Sequence, residues 1–233
     1  MFQGLSLLIP AKADPERDAV ARAWETGGGT VLRLDRFWSP PDVTPARTRL
    51  YGNDTFCLVL AQKLGLTLVS PPDDLLLRVD SDWLGREVRG STLEQVLTEP
   101  FPRFIKPQVP KVFRASVWND PESLRSECKG LTPETPVLSS EVVTVRAEAR
   151  AWALDGQLRT CAMYEGEGDL AEARAFLTTV AREAKLPRTC VLDAACVEGR
   201  GWVLLEANAA WGAGLNGCDA REAALCIAEA SHA

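Results

Sequence analysis

Two apolar runs of strand length, Val191-Leu192-Asp193-Ala194-Ala195-Cys196-Val197 and Trp202-Val203-Leu204-Leu205-Glu206-Ala207-Asn208, flank the turn Glu198-Gly199-Arg200-Gly201. The pattern predicts a β-hairpin. With a two- or four-residue loop, Val197 faces Trp202, and Asp193 falls directly across from Glu206. Asn208 then shares a face with Glu206, diagonal to Asp193. A second hairpin is predicted around Asp155-Gly156, with strands over Val142 to Leu154 and Gln157 to Tyr164. There Leu154 faces Gln157, and Arg146, Glu148, Arg150 and Trp152 share one face. The opposite face, Val143, Val145, Ala147, Ala149, Ala151 and Ala153, is uniformly apolar and belongs in a core. Between the hairpins, Asp169 caps an amphipathic helix through Ala173, Phe176, Leu177, Val180, Ala181 and Ala184, and Pro187 terminates it.

The first seventy residues read as β-α-β with a further helix. Leu5 to Pro10 is a short apolar strand, and Asp14-Pro15 opens a helix carrying Ala19, Val20, Ala23 and Trp24. Gly27-Gly28-Gly29 stops that helix before a second strand, Val31 to Leu34. Phosphate loops precede a helix and offer its N-terminal amides, so this triplet is a plain turn. A helix from Asn53 or Asp54 closes at Gly65, ahead of the strand Leu66 to Val69. Pro71-Pro72 marks a boundary. Ser91-Thr92-Leu93-Glu94 reads as a capping box opening a short helix over Val96 and Leu97. Asp120-Pro121-Glu122 caps another, ended by Gly130, and Asp219-Ala220-Arg221-Glu222 is a capping box opening the terminal helix. The sole histidine, His232, falls in an end expected to fray.

Composition narrows the function classes. A chain of 233 residues makes one large domain or two small ones with ample core. Its net charge of −6 argues against a nucleic-acid partner, although a small anionic substrate can still enter a local basic cleft. Seven cysteines without a C-x-x-C pair suggest reduced, mostly buried thiols in a cytoplasmic protein. No signal peptide is read at the N-terminus, and no apolar run reaches the length of a membrane span. One terminal histidine excludes histidine triads and histidine metal sites.

The candidate chemistry lies in the hairpins and one lysine. Two carboxylates opposed in a hairpin are either solvated on an exposed face or, as the apolar neighbours favour, buried, where they repel and are costly unpaired. A hard divalent cation with oxygen ligands removes that cost, and phosphate oxygens can complete its shell. Lys106, at the end of the apolar run Phe104-Ile105-Lys106, either snorkels to solvent from a strand end or, if buried, needs an anionic partner such as triphosphate oxygens. Arg86 and Arg89 suit either a phosphate or a solvated face. The charged stripe of Arg146, Glu148 and Arg150, taken alone, reads as solvent surface. The stretch Trp211-Gly212-Ala213-Gly214-Leu215-Asn216-Gly217 allows close backbone approach to a ligand, or is a structural turn. Tyr51-Gly52-Asn53 is a capping turn or a substrate contact.

An Asp on one strand followed by Glu-x-Asn on the next resembles the magnesium-binding end of the ATP-grasp superfamily. The run Leu205-Glu206-Ala207-Asn208-Ala209-Ala210-Trp211-Gly212-Ala213-Gly214-Leu215-Asn216-Gly217-Cys218 is similar to a compact ATP-grasp clade named for an arginine and two lysines. Lys106 in Ile105-Lys106-Pro107, and Lys111 five residues later, stand where that clade keeps its lysines. The resemblance implies an α/β (α+β) ATP-grasp fold, in which a short N-terminal α/β domain (1–72) precedes two α+β subdomains (73–140 and 141–233) clasping ATP. It makes Pro136 to Glu141 the hinge strand, with Ser140 and Glu141 at the nucleotide. It also makes Glu148-x-Arg150 the acid-x-Arg element, with Glu148 on the ribose hydroxyls and Arg150 on the transferred phosphate. Asp193, Glu206 and Asn208 would hold one or two Mg2+ ions, or Mn2+. Trp211, Gly212, Gly214 and Asn216 would adjoin the acyl acceptor, with Tyr51 on the substrate side. Ala209 departs from the pattern, since many relatives carry proline after the asparagine.

The implied activity is an ATP-dependent carboxylate–amine ligase working through an acyl phosphate, with Lys106, Lys111 and Arg150 as its catalytic cations. A phosphotransferase on the same site and a non-catalytic ATP-binding regulatory module are the alternatives. The partners would be a small carboxylate and an amine, either an amino acid or a peptide, with no nucleic acid and no membrane. The acid, the amine and the oligomeric state stay open at this level.

Overall fold

In the computed structural model, which describes residues 1–233, the N-terminal elements are Ser6–Pro10 (β1), Pro15–Thr26 (α1), Thr30–Leu34 (β2), Thr48–Leu50 (β3), Asp54–Leu64 (α2) and Thr67–Leu68 (β4). The three longer strands form a parallel sheet in the order β2-β1-β3, with Leu8 beside both Leu32 and Leu50. Asp14 caps α1 by accepting from the Arg17 amide at 2.9 Å. Asn53 caps α2, and Gly65 ends it at φ 67°, a left-handed turn that a side chain would strain. The capping-turn reading of Tyr51-Gly52-Asn53 therefore holds for Asn53.

Next come Ser81–Leu84 (α3), Val88–Thr92 (β5), Leu93–Val96 (α4), Arg103–Pro107 (β6), Ser116–Trp118 (β7), Pro121–Glu127 (α5) and Pro136–Ser140 (β8). The strands make an antiparallel sheet in the order β5-β8-β6-β7. The capping box sits one residue later than expected. Thr92 and Gln95, not Ser91 and Glu94, exchange the reciprocal hydrogen bonds, because β5 pairs through Thr92 before the helix begins.

The remaining elements are Val145–Leu154 (β9), Gln157–Gly166 (β10), Leu170–Glu183 (α6), Thr189–Val197 (β11), Gly201–Asn208 (β12), Ala220–Ala228 (α7) and Ser231–His232 (β13). A second antiparallel sheet runs β10-β9-β11-β12. One face packs on α6, where Leu177, Val180 and Ala181 meet Ala151, Leu192, Ala194 and Leu204. The apolar face expected on β9 is buried from Ala147 to Ala153, but Val145 is exposed and Val143 precedes the strand. No helix is long and apolar enough to cross a membrane. All seven cysteines are free.

Packing does not follow chain order at the C-terminus. Ala223, Cys226 and Ile227 of α7 join Leu7, Ile9, Trp24 and Leu60 in one core, together with Trp152 and Val191. The last helix of the 141–233 stretch therefore packs in the core of the N-terminal elements. That docking places β13 beside β4, so His232 pairs with Thr67 rather than fraying.

The central hairpin corrects the predicted register. The loop has three residues, Val197 pairs with Gly201, and Cys196 rather than Val197 pairs with Trp202. A β-bulge at Leu205 then inserts one residue, and Asp193 pairs with Glu206 after all. Side chains alternate along a strand, so without the bulge Glu206 and Asn208 would face α6. The offset at the turn and the bulge cancel.

Trp152 is fully buried where the second sheet meets the N-terminal core. Trp152→Ala is expected to destabilise the fold by about 3–5 kcal/mol, read as a lowered denaturant midpoint.

Candidate active site

The stripe on β9 grades from solvent to core. Arg146 is exposed beside Glu198, Glu148 and Arg150 are half-buried, and Trp152 is buried. Arg150 lies opposite Asp193 on β11 and grips it with both ends of its fork, Nε to Oδ1 and Nη2 to Oδ2, each at 2.7 Å. Its remaining nitrogen, Nη1, donates to the Gly214 carbonyl at 3.0 Å. Asn208 Nδ2 donates to Asp193 Oδ2 at 3.0 Å and to Glu206 Oε1 at 2.9 Å. Lys106, carried in by β6, places Nζ 3.1 Å from Glu206 Oε2. One chain of contacts therefore runs Lys106–Glu206–Asn208–Asp193–Arg150 across two sheets.

The charges in this chain respond to burial and to one another. Burial raises the Asp193 carboxyl above its ordinary range, opposed by the Arg150 fork and the Asn208 amide. Burial also acts upward on Glu206, but Lys106, Asn208 and Arg150 outweigh it and hold that carboxyl below its ordinary range. Burial disfavours the Arg150 charge, yet pairing with Asp193 wins and raises its pKa.

Two cavities meet along this chain. One, of about 340 Å³, has apolar walls that include Val88, Phe104 and Leu138, and is also bordered by Arg86, Ser140 and Glu148. The second is an open cleft of about 1070 Å³ between the sheets and the N-terminal region, bordered by Lys111, Arg150 and Asn208. Lys106 and Glu206 border both. Small-molecule sites typically enclose about 300–1,000 Å³, so the first has the size of a bound ligand and the second is larger.

The structure sorts the expected site residues. Lys111 borders only the open cleft, exposed on a loop at φ 66°, with Nζ 2.7 Å from Asp54 Oδ2. Ser140 and Glu141 border the smaller cavity, but the Glu141 carboxylate is engaged by Arg200 at 2.8 and 2.9 Å and by the Glu87 amide at 3.0 Å. Hydrogen bonds from Arg200, then from the Glu87 amide, draw its pKa down to about 2. Arg89 pairs with Glu87 in solvent, whereas Arg86 turns inward and donates to the Leu84 and Leu204 carbonyls at 3.0 and 2.8 Å.

Trp211, Gly212 and Gly214 border the open cleft, while Tyr51 and Asn216 do not. Tyr51 is buried beneath the glycine-rich loop, its hydroxyl donating to the Ala213 carbonyl at 3.0 Å. Asn216 donates its backbone N–H to Glu16 Oε1 at 2.7 Å, and Leu215 donates to Oε2 at 2.8 Å. A Cβ at Gly214 would lie 2.7 Å from Glu16 Oε2, so a side chain there would push the Glu16 carboxylate away from the loop amides it accepts from. Glu16, which holds the glycine-rich loop, and Tyr164, which borders the smaller cavity, were not singled out by the sequence reading. Glu16 reads as an ordinary acid in the first turn of a helix, and Tyr164 as the last residue of a strand.

Asp193, Glu206 and Asn208 offer two carboxylates and one amide, hard oxygen donors that suit Mg2+. In this structure the oxygens of both carboxylates are engaged by Arg150, the Asn208 amide nitrogen and Lys106, and no group of three or more His, Cys, Asp or Glu side chains is placed to hold a metal.

Two α+β sheets facing across a cleft, with a lysine from one meeting an Asp/Glu/Asn set on the other, define the ATP-grasp class. The chain belongs to that superfamily: the model of the ATP-grasp domain, family 2 of the clade named for an arginine and two lysines, matches residues 83–226, more than half of its length. The fold is shared with solved ATP-grasp proteins. A RimK domain protein from Sphaerobacter thermophilus matches with a TM-score of 0.62 at 16% identity, over 96% of this chain and 98% of that one. D-alanine–D-alanine ligase from Bacillus anthracis matches with a TM-score of 0.56 at 12% identity, over 97% of each chain. The ATP-grasp ligase PsnB, solved with a precursor variant, Mg and ADP, matches with a TM-score of 0.55 at 15% identity, over 97% and 96%. No curated protein is similar enough in sequence to match.

Removing Arg150 strands the buried Asp193 carboxylate. Arg150→Ala is expected to lower unfolding stability by about 3–5 kcal/mol in chemical denaturation at neutral pH.

Proposed function

We propose that this protein is an ATP-dependent carboxylate–amine ligase. The observation that carries the reading is the junction of a ligand-sized cavity with a larger open cleft at Lys106 and Glu206. ATP in the smaller cavity would present its γ-phosphate at that junction, and the acid and amine would approach from the cleft. Ser140 and Glu141 would adjoin the adenine end and Glu148 the ribose hydroxyls, while Lys106 and Arg150 would face the phosphates. Lys111 would add its charge to the transferring phosphate on leaving Asp54. Asp193, Glu206 and Asn208 would hold Mg2+ or Mn2+, which would neutralise phosphate charge. The glycine-rich loop at Trp211, Gly212 and Gly214 would flank the acceptor.

In this reaction a carboxylate oxygen attacks the γ-phosphorus and the bond to the β-phosphate oxygen breaks, giving an acyl phosphate and ADP. The amine nitrogen then attacks the acyl carbon, phosphate departs, and an amide forms. Positioning and charge neutralisation account for the catalysis, so the single remote histidine is no obstacle. The same reading takes 1–72, 73–140 and 141–233 as the functional parts. It expects a reducing, cytoplasmic setting for the free thiols and small-molecule or peptide substrates.

The direct test is a screen of small acids with amino acids and short peptides in ATP and Mg2+, read by phosphate release and mass spectrometry. A new amide with ADP and phosphate supports the ligase. A phosphorylated acceptor would make it a phosphotransferase, and ATP binding with no ADP formed across the screen would make it a regulatory module. Asp193→Asn and Glu206→Gln are expected to abolish Mg2+-dependent turnover while circular dichroism reports a retained fold; wild-type turnover in either removes the metal assignment. Lys106→Ala should weaken ATP binding at least tenfold, about 1.4 kcal/mol, in calorimetry.

A further inference from the structure

Tyr164 touches both charged groups that β9 sends into the site. Its hydroxyl donates to the Glu148 carboxylate, and the Arg150 guanidinium carbon stands 5.8 Å from its ring centroid. That distance lies within cation–π reach. The side chain also borders the 340 Å³ cavity beside Glu148.

The backbone explains how a residue near the end of a strand comes to point there. β10 pairs Ala162 with Arg150 and Met163 with Ala149, so Tyr164, next along the strand, falls opposite Glu148 and on its face of the sheet; the ladder shifts only beyond it, where Glu165 pairs with Glu148. That placement settles a competition. Glu148 and Arg150 are two residues apart on one face of β9, and a free carboxylate beside a guanidinium is drawn toward it. Instead, two guanidinium nitrogens of Arg150 are committed to Asp193, and Glu148 is taken by Tyr164.

We propose that Tyr164 is a positioning residue that sets specificity for the sugar of the nucleotide. By donating to one oxygen of Glu148 and standing against Arg150, it keeps that carboxylate turned into the cavity. Glu148 is then left able to accept hydrogen bonds from the 2′- and 3′-hydroxyls of a ribose. Without the tyrosine hydroxyl, Glu148 would swing toward Arg150 and the distinction between ribose and deoxyribose would fade. The inference rests on the assignment of Glu148 to the ribose, and the experiment separates the two.

ATP, 2′-deoxy-ATP and 3′-deoxy-ATP are titrated with Mg2+ into the full chain by calorimetry, for wild type, Tyr164→Phe and Glu148→Gln. Wild type is expected to bind ATP about tenfold more tightly than either deoxynucleotide, the worth of a hydrogen bond to a charged group. Tyr164→Phe keeps the ring and should bind the deoxynucleotides as wild type does, while its preference for ATP falls toward one. A loss of packing alone would weaken all three ligands together. A full preference retained in Tyr164→Phe overturns the role of Tyr164 and leaves the Glu148 assignment standing. No preference in wild type overturns that assignment and the proposal with it. Should Tyr164→Phe fail to fold, Glu148→Gln, with the tyrosine in place, is expected to lose the same preference, and keeping it would sink the proposal.

Discussion

The bidentate pair between Arg150 and Asp193 is the constraint around which the site is built. Asp193 is 2% exposed, and a lone carboxylate at that depth would be strongly disfavoured. Two 2.7 Å bonds from one planar fork compensate it, and Asn208 takes part of what remains. Pairing so buried is costly to break but contributes little net stability compared with an apolar replacement. Its retention therefore makes most sense as a device for orientation. It fixes Arg150 toward the cleft and fixes Asp193 where Glu206 and Asn208 converge. Through Nη1 it also holds the carbonyl of Gly214.

Strand register puts the other groups in phase with that pair. At Leu205 an extra residue shifts the alternation of β12, so that Glu206 and Asn208 face the cleft instead of α6. Without that bulge the three-residue turn would leave Glu206 among aliphatic side chains. On β10, the pairing of Ala162 with Arg150 and Met163 with Ala149 carries Tyr164 opposite Glu148, where it meets both Glu148 and Arg150. The bulge on β12 leaves the pairing of Arg150 with Asp193 itself unperturbed.

The N-terminal region enters the site by holding its glycine-rich loop. Glu16 accepts two successive loop amides, and Tyr51 holds the Ala213 carbonyl from below. Because α7 and Trp152 share the N-terminal core, the small parallel sheet is anchored on both sides of the loop. The glycine-rich side of the cleft is thus a wall made by two parts of the chain.

The sequence determined what depends on neighbours along the chain. Caps at Asp14, Asn53, Asp120 and Asp169, the stop at Gly65 and the Asp155-Gly156 turn are local hydrogen-bond and torsional effects, and each stands where the residues place it. The apolar faces of β9 and β11, and the pairing of Asp193 with Glu206, were legible for the same reason, although the latter came from two offsets that cancel. Tertiary structure decided what local chemistry leaves free. A bulge is a mismatch between two strands, and neither strand alone contains it. The same holds for Lys111 turned to Asp54, Glu141 taken by Arg200, and Tyr51 placed under the loop with its hydroxyl on Ala213. Charged and hydroxyl side chains have many available partners at similar cost, and only the folded chain brings one of them within reach.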